Sequence, residues 1–597
     1  AQDPASGLVW TSAVLRRHAG LGPKGLGGLY VTKAGGGDVV ASFDVGTLQD
    51  QGGNPILLSA NAADYTDAAR GLNSTTPISI DLAGYNGVGQ VGLGDIDFSP
   101  DGFLWVTNLY EKTILRIAVG GTPLAPTLGS VTEYTVPQLS ATSCNTGGTI
   151  TNNVAHPWAL EYVQATGHMM VGIVCGRESN LVNYSSPMET GTGGDAAAIG
   201  GAAILDLDPT GSGTWTRATS ILINRQRFIE GCMDASYTTQ NFCKIMNWKG
   251  WTNDFATISA KNTALGGNFL SILRYPQPIL GDIETLSDGS LVVGFIDRFS
   301  MQLGSDNIKP TETSVTLPWT GSLVTGNVAG DLQLLCKTGS ATWTQEASTA
   351  SGAATQKGGC VGITTVGGAT YESAARPFTA TYDWYGNGSP FVYVSLANQP
   401  DNKAYLEYFN DTVCDPTNVL DGTIWASAAC LNATLPNHIE ISQGGLSVWP
   451  PSGTQELAST SMDPSNQFDT GGVRWFDMSS GDSKWGTIYT EVSNQTITTD
   501  TSFKKSSSMG DLELICDSAP VQIGNYVWID TDKDGIQDAG EAPVAGVTVH
   551  LYNASGTLVG TAITDAQGRY YFSSNVSEAA AGNGDNAGGG LSANASF

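Results

Sequence analysis

The segment Asp530–Glu541, DTDKDGIQDAGE, combines residue types and spacing that could bind a calcium ion. A calcium loop of this kind takes oxygen ligands from positions 1, 3, 5, 7, 9 and 12 and needs glycine at position 6 for a sharp turn. Gly535 occupies the sixth position. The ligand positions are filled, in order, by Asp530, Asp532, Asp534, Ile536 (through its main-chain carbonyl), Asp538 and Glu541. The sequence therefore predicts calcium as the cofactor of this loop.

The residues on either side of the loop predict strands rather than helices. The preceding IGNYVWI is aromatic and β-branched, and the following APVAGVTVHLYN alternates Val547, Val549 and Leu551 with polar residues. A calcium sensor needs a pair of helices that opens when the ion binds. A loop between two strands lacks that moving part, so we expect calcium to act as a static structural staple.

A longer segment around the loop resembles a known domain family. The residues from Gly524 to Phe572 are GNYVWIDTDKDGIQDAGEAPVAGVTVHLYNASGTLVGTAITDAQGRYYF. Their calcium loop, GVTV strand, NASG turn and TDAQGRYYF strand resemble, in the same order, the calcium-binding B-type domains of serine-aspartate-repeat (Sdr) surface adhesins, which are related to collagen-adhesin B domains. The resemblance implies an Ig-like, B-type β-sandwich at residues 518–597 of a secreted bacterial surface protein.

The composition limits the partners and the location of the chain. There are 55 acidic and 27 basic side chains, which give a formal net charge of −28. Nucleic acids and anionic membranes attract clustered Lys and Arg, so this balance argues against both as partners. No run of about 20 apolar residues is present, so we expect no direct membrane insertion. We expect an extracellular or cell-surface protein whose signal peptide has been removed before Ala1.

Cysteine and asparagine patterns support the same location. None of the nine cysteines forms a CxxC pair or lies near His at metal-binding spacing, so disulfides are the favoured interpretation. Sequential pairing, which the sequence alone does not establish, gives Cys144–Cys175, Cys232–Cys243, Cys336–Cys360 and Cys414–Cys430. Possible glycosylation sequons, N-x-S/T, begin at Asn73, Asn183, Asn387, Asn410, Asn432 and Asn494.

Repeated hairpins predict the fold of the remaining chain. The segments LGDIDFSPDGFLWVTN from Leu93 and LGDIETLSDGSLVVGF from Leu280 align without gaps, and each predicts a strand, a tight turn and a strand. Weaker relatives begin at Ala159, Thr381 and Gly445, and further hairpins are predicted at 29–45 and 471–491. We therefore predict an all-β chain whose residues 1–517 form a β-propeller-like head of six or seven blades. An array of elaborated sandwiches is the alternative.

A second repeat pair marks the predicted domain boundary. AGDLQLLC at 329–336 and MGDLELIC at 509–516 each predict a strand that ends at a cysteine. The second copy stands just before the B-type segment. We therefore expect the junction between the two domains near residues 517–522.

Four acids of the repeated hairpins, Asp95, Asp97, Asp282 and Glu284, could do chemistry in a propeller channel. In gluconolactonase-like propellers, acids at such places hold a calcium ion. The favoured interpretation is that Asp95 and Asp282 accept hydrogen bonds from backbone amides in the blade turns. His156 is expected to be a packed loop residue. Without an HExxH or GxSxG motif, no catalytic constellation is identified, and we predict that the chain is not an enzyme.

These observations predict an extracellular cell-surface structural or adhesive protein, and a component of a surface layer, sheath or filament. The expected partners are further copies of the chain, other surface proteins or glycans. One alternative is a secreted propeller hydrolase or lactonase, and another is a carbohydrate-binding, lectin-like head. The strand at 570–572 is expected to lack its next partner strand within this chain, and the open edge would favour self-association.

Overall fold

The computed structural model covers the 597-residue chain. The structure describes residues 1–34, 36–72, 79–122, 125–138, 154–176, 201–221, 248–264, 272–273, 275–315, 321, 323–326, 328–339, 342–345, 441–449, 455–462, 471–478, 483–490, 509–515, 522–538, 540–553 and 556–573. The chain forms two compact units, Ala1–Leu514 and Ile515–Phe597, which we call the head and the C-terminal unit. The predicted boundary follows residue 517, and the observed boundary follows Leu514.

Five antiparallel sheets make up the described part of the head, and we call them blades 1 to 5 in chain order. Blade 1 contains β1 (Leu8–Ser12), β2 (Gly28–Lys33) and β3 (Ala41–Asp44). Blade 2 contains β4 (Leu93–Ser99), β5 (Phe103–Asn108), β6 (Thr113–Thr122) and β7 (Ala125–Thr135). Blade 3 contains β8 (Ala155–Val163), β9 (His168–Cys175), β10 (Ala202–Asp208) and β11 (Thr214–Ile221).

Blade 4 is formed by β13 (Pro278–Thr285), β14 (Leu291–Asp297), β16 (Gly330–Gly339) and β17 (Thr342–Gln345). Two short strands, β12 (Ile272–Leu273) and β15 (Thr325–Gly326), form a separate parallel pair. Blade 5 is formed by β18 (Ile441–Trp449), β19 (Glu456–Met462), β20 (Gly471–Asp477) and β21 (Ser483–Thr490). Within each blade, every strand pairs with the next one of that blade.

The all-β, propeller-like prediction is confirmed, with five blades among the described residues where the repeats predicted six or seven. The hairpins from Leu93 and Leu280 are β4–β5 and β13–β14, and each begins with the first strand of a blade. The hairpins predicted at 159, 445, 29–45 and 471–491 are β8–β9, β18–β19, β2–β3 and β20–β21. The hairpin predicted from Thr381 lies outside the described residues.

Alternating side chains of each blade pack against both neighbouring blades. Leu104 and Val106 of β5 join a core cluster shared with blade 1, while Trp105 between them joins a cluster shared with blade 3. In β14, Leu291 and Val293 face blade 3, and Val292 faces blade 5. Because both faces of a blade are buried, its strands are apolar at successive positions, and this packing holds the blades in sequence.

Helices are short in the described residues and comprise α1 (Leu82–Gly87), α2 (Phe255–Ala264) and α3 (Arg298–Leu303). The buried carboxylate of Asp81 caps α1 at the Gly84 N–H and forms an ion pair with Arg70, 2.7 Å between Nη2 and Oδ2. Asp297 caps α3 by accepting from the Phe299 N–H. These caps fix polar chain ends inside the head by satisfying their free N–H groups.

His156 is packed as predicted, but it lies at the start of β8 rather than in a loop. Its ring stacks on Trp251 with 3.9 Å between centroids, and the Arg298 guanidinium lies 4.6 Å from the same indole centroid. Its 7% exposure leaves little access to solvent. The residue therefore contributes to packing and is not placed as a general base.

Two strand pairs form the described part of the C-terminal unit. β22 (Gln522–Tyr526) pairs with β25 (Arg569–Ser573), and β23 (Thr548–Tyr552) pairs with β24 (Leu558–Ile563). The predicted order of strand, loop and strand around Asp530–Glu541 is therefore present. The strand at 570–572 does find a partner, β22, and among the described residues it has no second ladder.

Two described cysteines, Cys175 at the end of β9 and Cys336 in β16, are disulfide-bonded. Every predicted disulfide pairing includes at least one cysteine outside the described residues. The asparagine of every predicted sequon also lies outside them. No helix of the described residues is long and apolar enough to span a membrane.

The contact between blades 4 and 5 depends on glycine. A Cβ added at Gly330 would collide with the carbonyl oxygen of Ser442 in β18, and Gly444 has a φ of +84° that side chains rarely adopt. We predict that Gly330→Ala lowers the free energy of unfolding of the head by about 1–3 kcal/mol, because backbone must move to make room. Denaturant unfolding of the head measures this change.

The matched control is Gly120→Ala in β6, where the added Cβ would meet only Thr127 Oγ1, at 3.5 Å. It should change stability by no more than about 0.5 kcal/mol. Equal stability of Gly330→Ala and the parent protein would contradict the close approach of the two blades.

Candidate functional sites in the channel and the calcium loop

A central cavity of about 260 Å³ lies where the blades meet. Its walls are β4, β8, β13, the β18–β19 hairpin and the segment Asp511–Leu514. The hairpin contributes uncharged residues, including Ser447 and Gln455. The other walls contribute seven carboxyl groups, those of Asp95, Asp97, Glu161, Asp282, Glu284, Asp511 and Glu513. We call this set the channel carboxyls.

Three of the wall segments share the sequence Gly-Asp-(Ile/Leu)-(Asp/Glu), beginning at Gly94, Gly281 and Gly510. They also share a local geometry. In each, the Oδ1 atom of the aspartate accepts the N–H of the following residue at 2.7 Å, at Ile96, Ile283 and Leu512. The common motif therefore turns one carboxylate oxygen back to its own strand and leaves the other oxygen for a neighbour.

The second oxygen connects adjacent blades. Asp95 Oδ2 accepts the Leu160 N–H at 2.8 Å, which joins blade 2 to blade 3. Asp282 Oδ2 accepts the Leu446 N–H at 2.7 Å, which joins blade 4 to blade 5.

Two further carboxylates follow the same rule. Asp97 Oδ2 accepts the Tyr162 N–H at 2.6 Å, and Glu161 Oε1 accepts the Thr285 N–H at 3.0 Å. The main-chain N–H groups of Leu160, Tyr162, Thr285 and Leu446 are thus each hydrogen-bonded to a carboxylate of the preceding blade.

The predicted acceptor role of Asp95 and Asp282 is therefore present, with a corrected location, and Asp97 shares it. Asp95, Asp97 and Asp282 accept from the next residue and from the next blade, and not from a turn of their own blade. In the part of the chain that the structure describes, groups of three or more ligand atoms close enough to share a metal ion occur only at Asp530–Glu541.

Burial changes the acidity of the channel carboxyls. Burial raises the pKa of Asp97 to about 6 and that of Glu161 to about 8. Burial, and next the Asp511 carboxylate, raise the pKa values of Asp95 and Asp282 well above the usual range. Burial and the charge of Glu161 do the same to the pKa of Glu284. Some of these groups therefore carry a proton at neutral pH, since crowded carboxylates cannot all ionise.

Sequence reasoning missed three of the seven channel carboxyls: Glu161, Asp511 and Glu513. A signal for Asp511 and Glu513 was present in MGDLELIC. This segment resembles AGDLQLLC, and it also matches the Gly-Asp-Ile-acid sequence in β4 and β13. The sequence predicts a strand at 509–516 before the domain junction, whereas Asp511–Leu514 forms a wall of the channel. Glu161 is preceded by Ala159 and Leu160, where the acids of β4 and β13 are preceded by Asp-Ile. This difference hid the equivalence of Glu161 to Asp97 and Glu284.

In the C-terminal unit, backbone hydrogen bonds shape the calcium loop. Asp530 Oδ2 accepts the Gly535 N–H at 2.9 Å, and Gly535 has a φ of +78°, as the turn at position 6 requires. The two carboxylate oxygens of Glu541 accept the main-chain N–H of Thr531 at 2.7 Å and the main-chain N–H of Asp538 at 3.0 Å. Glu541 thereby bonds to the main chain in both halves of the loop.

The loop carboxylates converge in two overlapping groups. Ligand atoms of Asp530, Asp532 and Glu541 lie within 4.8 Å of one another, and so do those of Asp532, Asp534 and Asp538. Asp530 Oδ1 is buried and has no hydrogen-bond partner among the described residues. A buried carboxylate oxygen without a donor, beside four other carboxylates, fits a hard cation.

The channel predicts an unusual pH dependence for the head. A carboxyl whose pKa is higher in the folded head than in the unfolded chain stabilises the fold at low pH. That contribution is lost as the pH rises through the folded value, here from about 6 for Asp97 to about 8 for Glu161. We expect the melting temperature of the head to fall between pH 5 and pH 9 in calorimetry with a chelator present throughout. A melting temperature that is flat or rises over this window would contradict the buried, proton-holding cluster.

Comparison with known proteins identifies the C-terminal unit. The family model described as SdrD B-like domain matches residues 521–579. Serine-aspartate repeat-containing protein F of Staphylococcus epidermidis is 52% identical over 50 residues, which cover 8% of this chain and 3% of the relative.

Two proteins of Dictyostelium discoideum are also similar. Colossin-B is 23% identical over 517 residues, which cover 84% of this chain and 10% of colossin-B, so the alignment extends through most of the head. Colossin-A is 34% identical over 129 residues, 22% of this chain and 1% of colossin-A. The chain thus spans a tenth or less of each of these relatives, and no solved structure matches it significantly.

The relatives come from Dictyostelium as well as from staphylococci, and so they do not single out a bacterial source. The names of the staphylococcal relatives describe repeat and binding proteins rather than enzymes, in agreement with the prediction of a non-enzymatic protein. The C-terminal unit contains an SdrD B-like domain of the kind found in Sdr adhesins.

Proposed function

We propose that the chain is part of an extracellular cell-surface protein with an adhesive or structural role, in which a calcium-stapled B-type unit carries a propeller-like head. The observation that carries the proposal is the loop Asp530–Glu541 within a domain similar to those of Sdr adhesins. One similar protein is named for binding bone sialoprotein, which supports a role in recognising other surface or matrix proteins. The proposed assembly is a surface layer, sheath or filament.

The small core of the C-terminal unit supports a structural role for calcium. Among its described residues, the buried core consists of Ala562 and Phe572, against which Val549, Leu551 and Tyr570 pack. A domain of this size with so little buried apolar surface needs a staple such as a metal ion or a disulfide. Calcium would supply the missing stabilisation by holding together carboxylates that otherwise repel one another.

The proposed ligands are Asp530, Asp532, Asp534, the carbonyl of Ile536, Asp538 and Glu541. They lie between β22 and β23, which belong to two different strand pairs. An ion in the loop would therefore fix the connection between the pairs. Strands cannot swing apart in the way that a helix pair opens, so the ion is proposed as a structural staple and not as a sensor.

The first prediction of this proposal is that calcium stabilises the C-terminal unit and leaves the head unchanged. Calcium should raise the melting temperature of one calorimetric transition only, because the head has no comparable ligand group in its described part. Glu541→Ala should remove most of the calcium-dependent shift.

The matched control is Asp565→Asn, in an acid of the same unit that bonds to Arg569 and lies outside the loop. This variant should alter stability by the same amount with and without calcium. Identical calorimetric traces of the parent chain in calcium and in chelator would show that the loop is not a calcium staple.

The second prediction is calcium-promoted self-association of the full chain. The β23–β24 hairpin exposes Tyr552, Leu558 and Ile563, each at least 37% accessible, in a unit that contains few buried apolar side chains. Calcium reduces the local negative charge that keeps copies apart. In sedimentation velocity, calcium should shift the chain from monomers to larger species, and Ile563→Lys should weaken this shift.

Ala566→Lys, at an exposed turn position close to the same hairpin, adds the same charge without removing an apolar side chain. It should associate like the parent chain. A chain that stays monomeric at all calcium concentrations would count against assembly through this unit, although it would leave the calcium staple itself intact.

A further inference from the structure

The segment Met509–Leu514, which we call the closing segment, completes the channel wall. β4, β8, β13 and the β18–β19 hairpin represent blades 2 to 5 in the cavity, and the closing segment stands in the remaining place. It lies near the end of the head in the chain, whereas blade 1 lies near its start, and among the described residues the sheet of blade 1 has three strands and each other blade has four. The closing segment therefore stands between blade 5 and the chain start that leads into blade 1.

Its contacts reach both sides of the junction. Met509 donates its N–H to Gln443 Oε1 of β18 at 2.9 Å. A Cβ added at Gly445 would lie 2.8 Å from the Asp511 Cα, so the segment runs directly against β18. On the other side, the Glu513 carboxylate accepts the Gln2 N–H and lies 3.3 Å from the Ala1 amino group.

The closing segment is held more weakly than the other walls. It takes part in no strand ladder among the described residues. Leu512 and Leu514 are half-buried and belong to no core cluster of the described chain, whereas Leu93 and Ile96 of β4 are buried within one. Its attachment thus depends on a few polar contacts and on the charges that face it.

Those charges are mostly of one sign. The segment brings Asp511 and Glu513 against Asp95 and Asp97 of β4, Glu161 of β8, and Asp282 and Glu284 of β13. The β18–β19 hairpin presents no charged side chain to the cavity, and the Ala1 amino group faces Glu513. After burial, the Asp511 carboxylate is the next cause that raises the pKa of Asp282, and both carboxyl groups line the same cavity.

We propose that the closing segment is a pH-sensitive latch, which stays in the channel while the carboxyl groups around it share protons and leaves the channel when they ionise. When Asp282 and the other buried carboxyl groups of β4, β8 and β13 ionise, their charges repel the carboxylates that the closing segment brings into the same cavity. β4, β8 and β13 resist the same repulsion because their strands are tied into ladders and buried cores. The closing segment has neither, so it separates first.

Release would change the chain that leads to the next unit. The closing segment is followed directly by Ile515, where the C-terminal unit begins. Freeing its six residues adds about 20 Å of extended chain before that unit. The latch therefore controls the length of the free connection as well as access to the channel.

Hydroxyl-radical footprinting of the full chain, read by mass spectrometry, tests the latch. Met509 and Leu512 are half-buried reporters, and Met462 of β19 is a fully buried internal reference. A free methionine peptide corrects for the effect of pH on the labelling reaction itself. After this correction, labelling of Met509 and Leu512 should rise at least threefold between pH 5.5 and pH 8.5. Labelling of Met462 should stay constant.

Two neutralising variants keep the test decisive. Glu284→Gln and Asp511→Asn each remove one charge facing or within the segment, and they should hold the labelling of Leu512 at its acidic level at pH 8.5. Asp38→Asn, at an exposed acid of blade 1, should behave like the parent chain. Equal labelling at both pH values, or a parallel rise at Met462 that indicates unfolding of the whole head, would overturn the proposal.

Discussion

The hydrogen bonds from backbone amides of one blade to channel carboxylates of the preceding blade are the interaction on which the head depends. Blades meet through side-chain packing on their faces, but at the channel their first strands have N–H groups with no ladder partner. Asp95, Asp97, Glu161 and Asp282 satisfy these groups at 2.6–3.0 Å. A buried N–H left without an acceptor costs about 1–3 kcal/mol, so each carboxylate both joins two blades and removes a penalty.

The two units solve the same electrostatic problem in different ways. Each concentrates carboxylates at a point where the chain must turn or meet another strand. In the head, burial raises the pKa values of these groups, so that protons and backbone amides offset the repulsion. In the C-terminal unit the carboxylates are more exposed, and the orphan oxygen of Asp530 fits the cation that we propose there. The acidic composition of the chain is therefore partly structural.

The features that the sequence could predict are those set by neighbouring residues. The loop proposed to bind calcium is twelve consecutive residues, and the repeated hairpins at Leu93 and Leu280 are local. Spacing alone therefore predicted the loop as a calcium site and revealed the propeller-like class. The number of blades was not accessible, because Ala159 and Gly445 stand where β4 and β13 carry Asp, and this conceals the equivalence of β8 and β18. The role of Asp511 and Glu513 depends on contacts with residues hundreds of positions away. No local pattern reports such contacts, although the shared Gly-Asp-(Ile/Leu)-(Asp/Glu) motif hinted at them.

The most direct test of this account is whether the channel carboxyls hold protons in the folded head. Infrared difference spectroscopy detects the carbonyl stretch of protonated carboxyl groups, which is distinct from that of carboxylates. The account predicts such a band at pH 7 that fades towards pH 9, and a smaller band in Glu161→Gln, because burial raises the pKa of Glu161 to about 8. A folded head without any protonated-carboxyl band at pH 7 would contradict it.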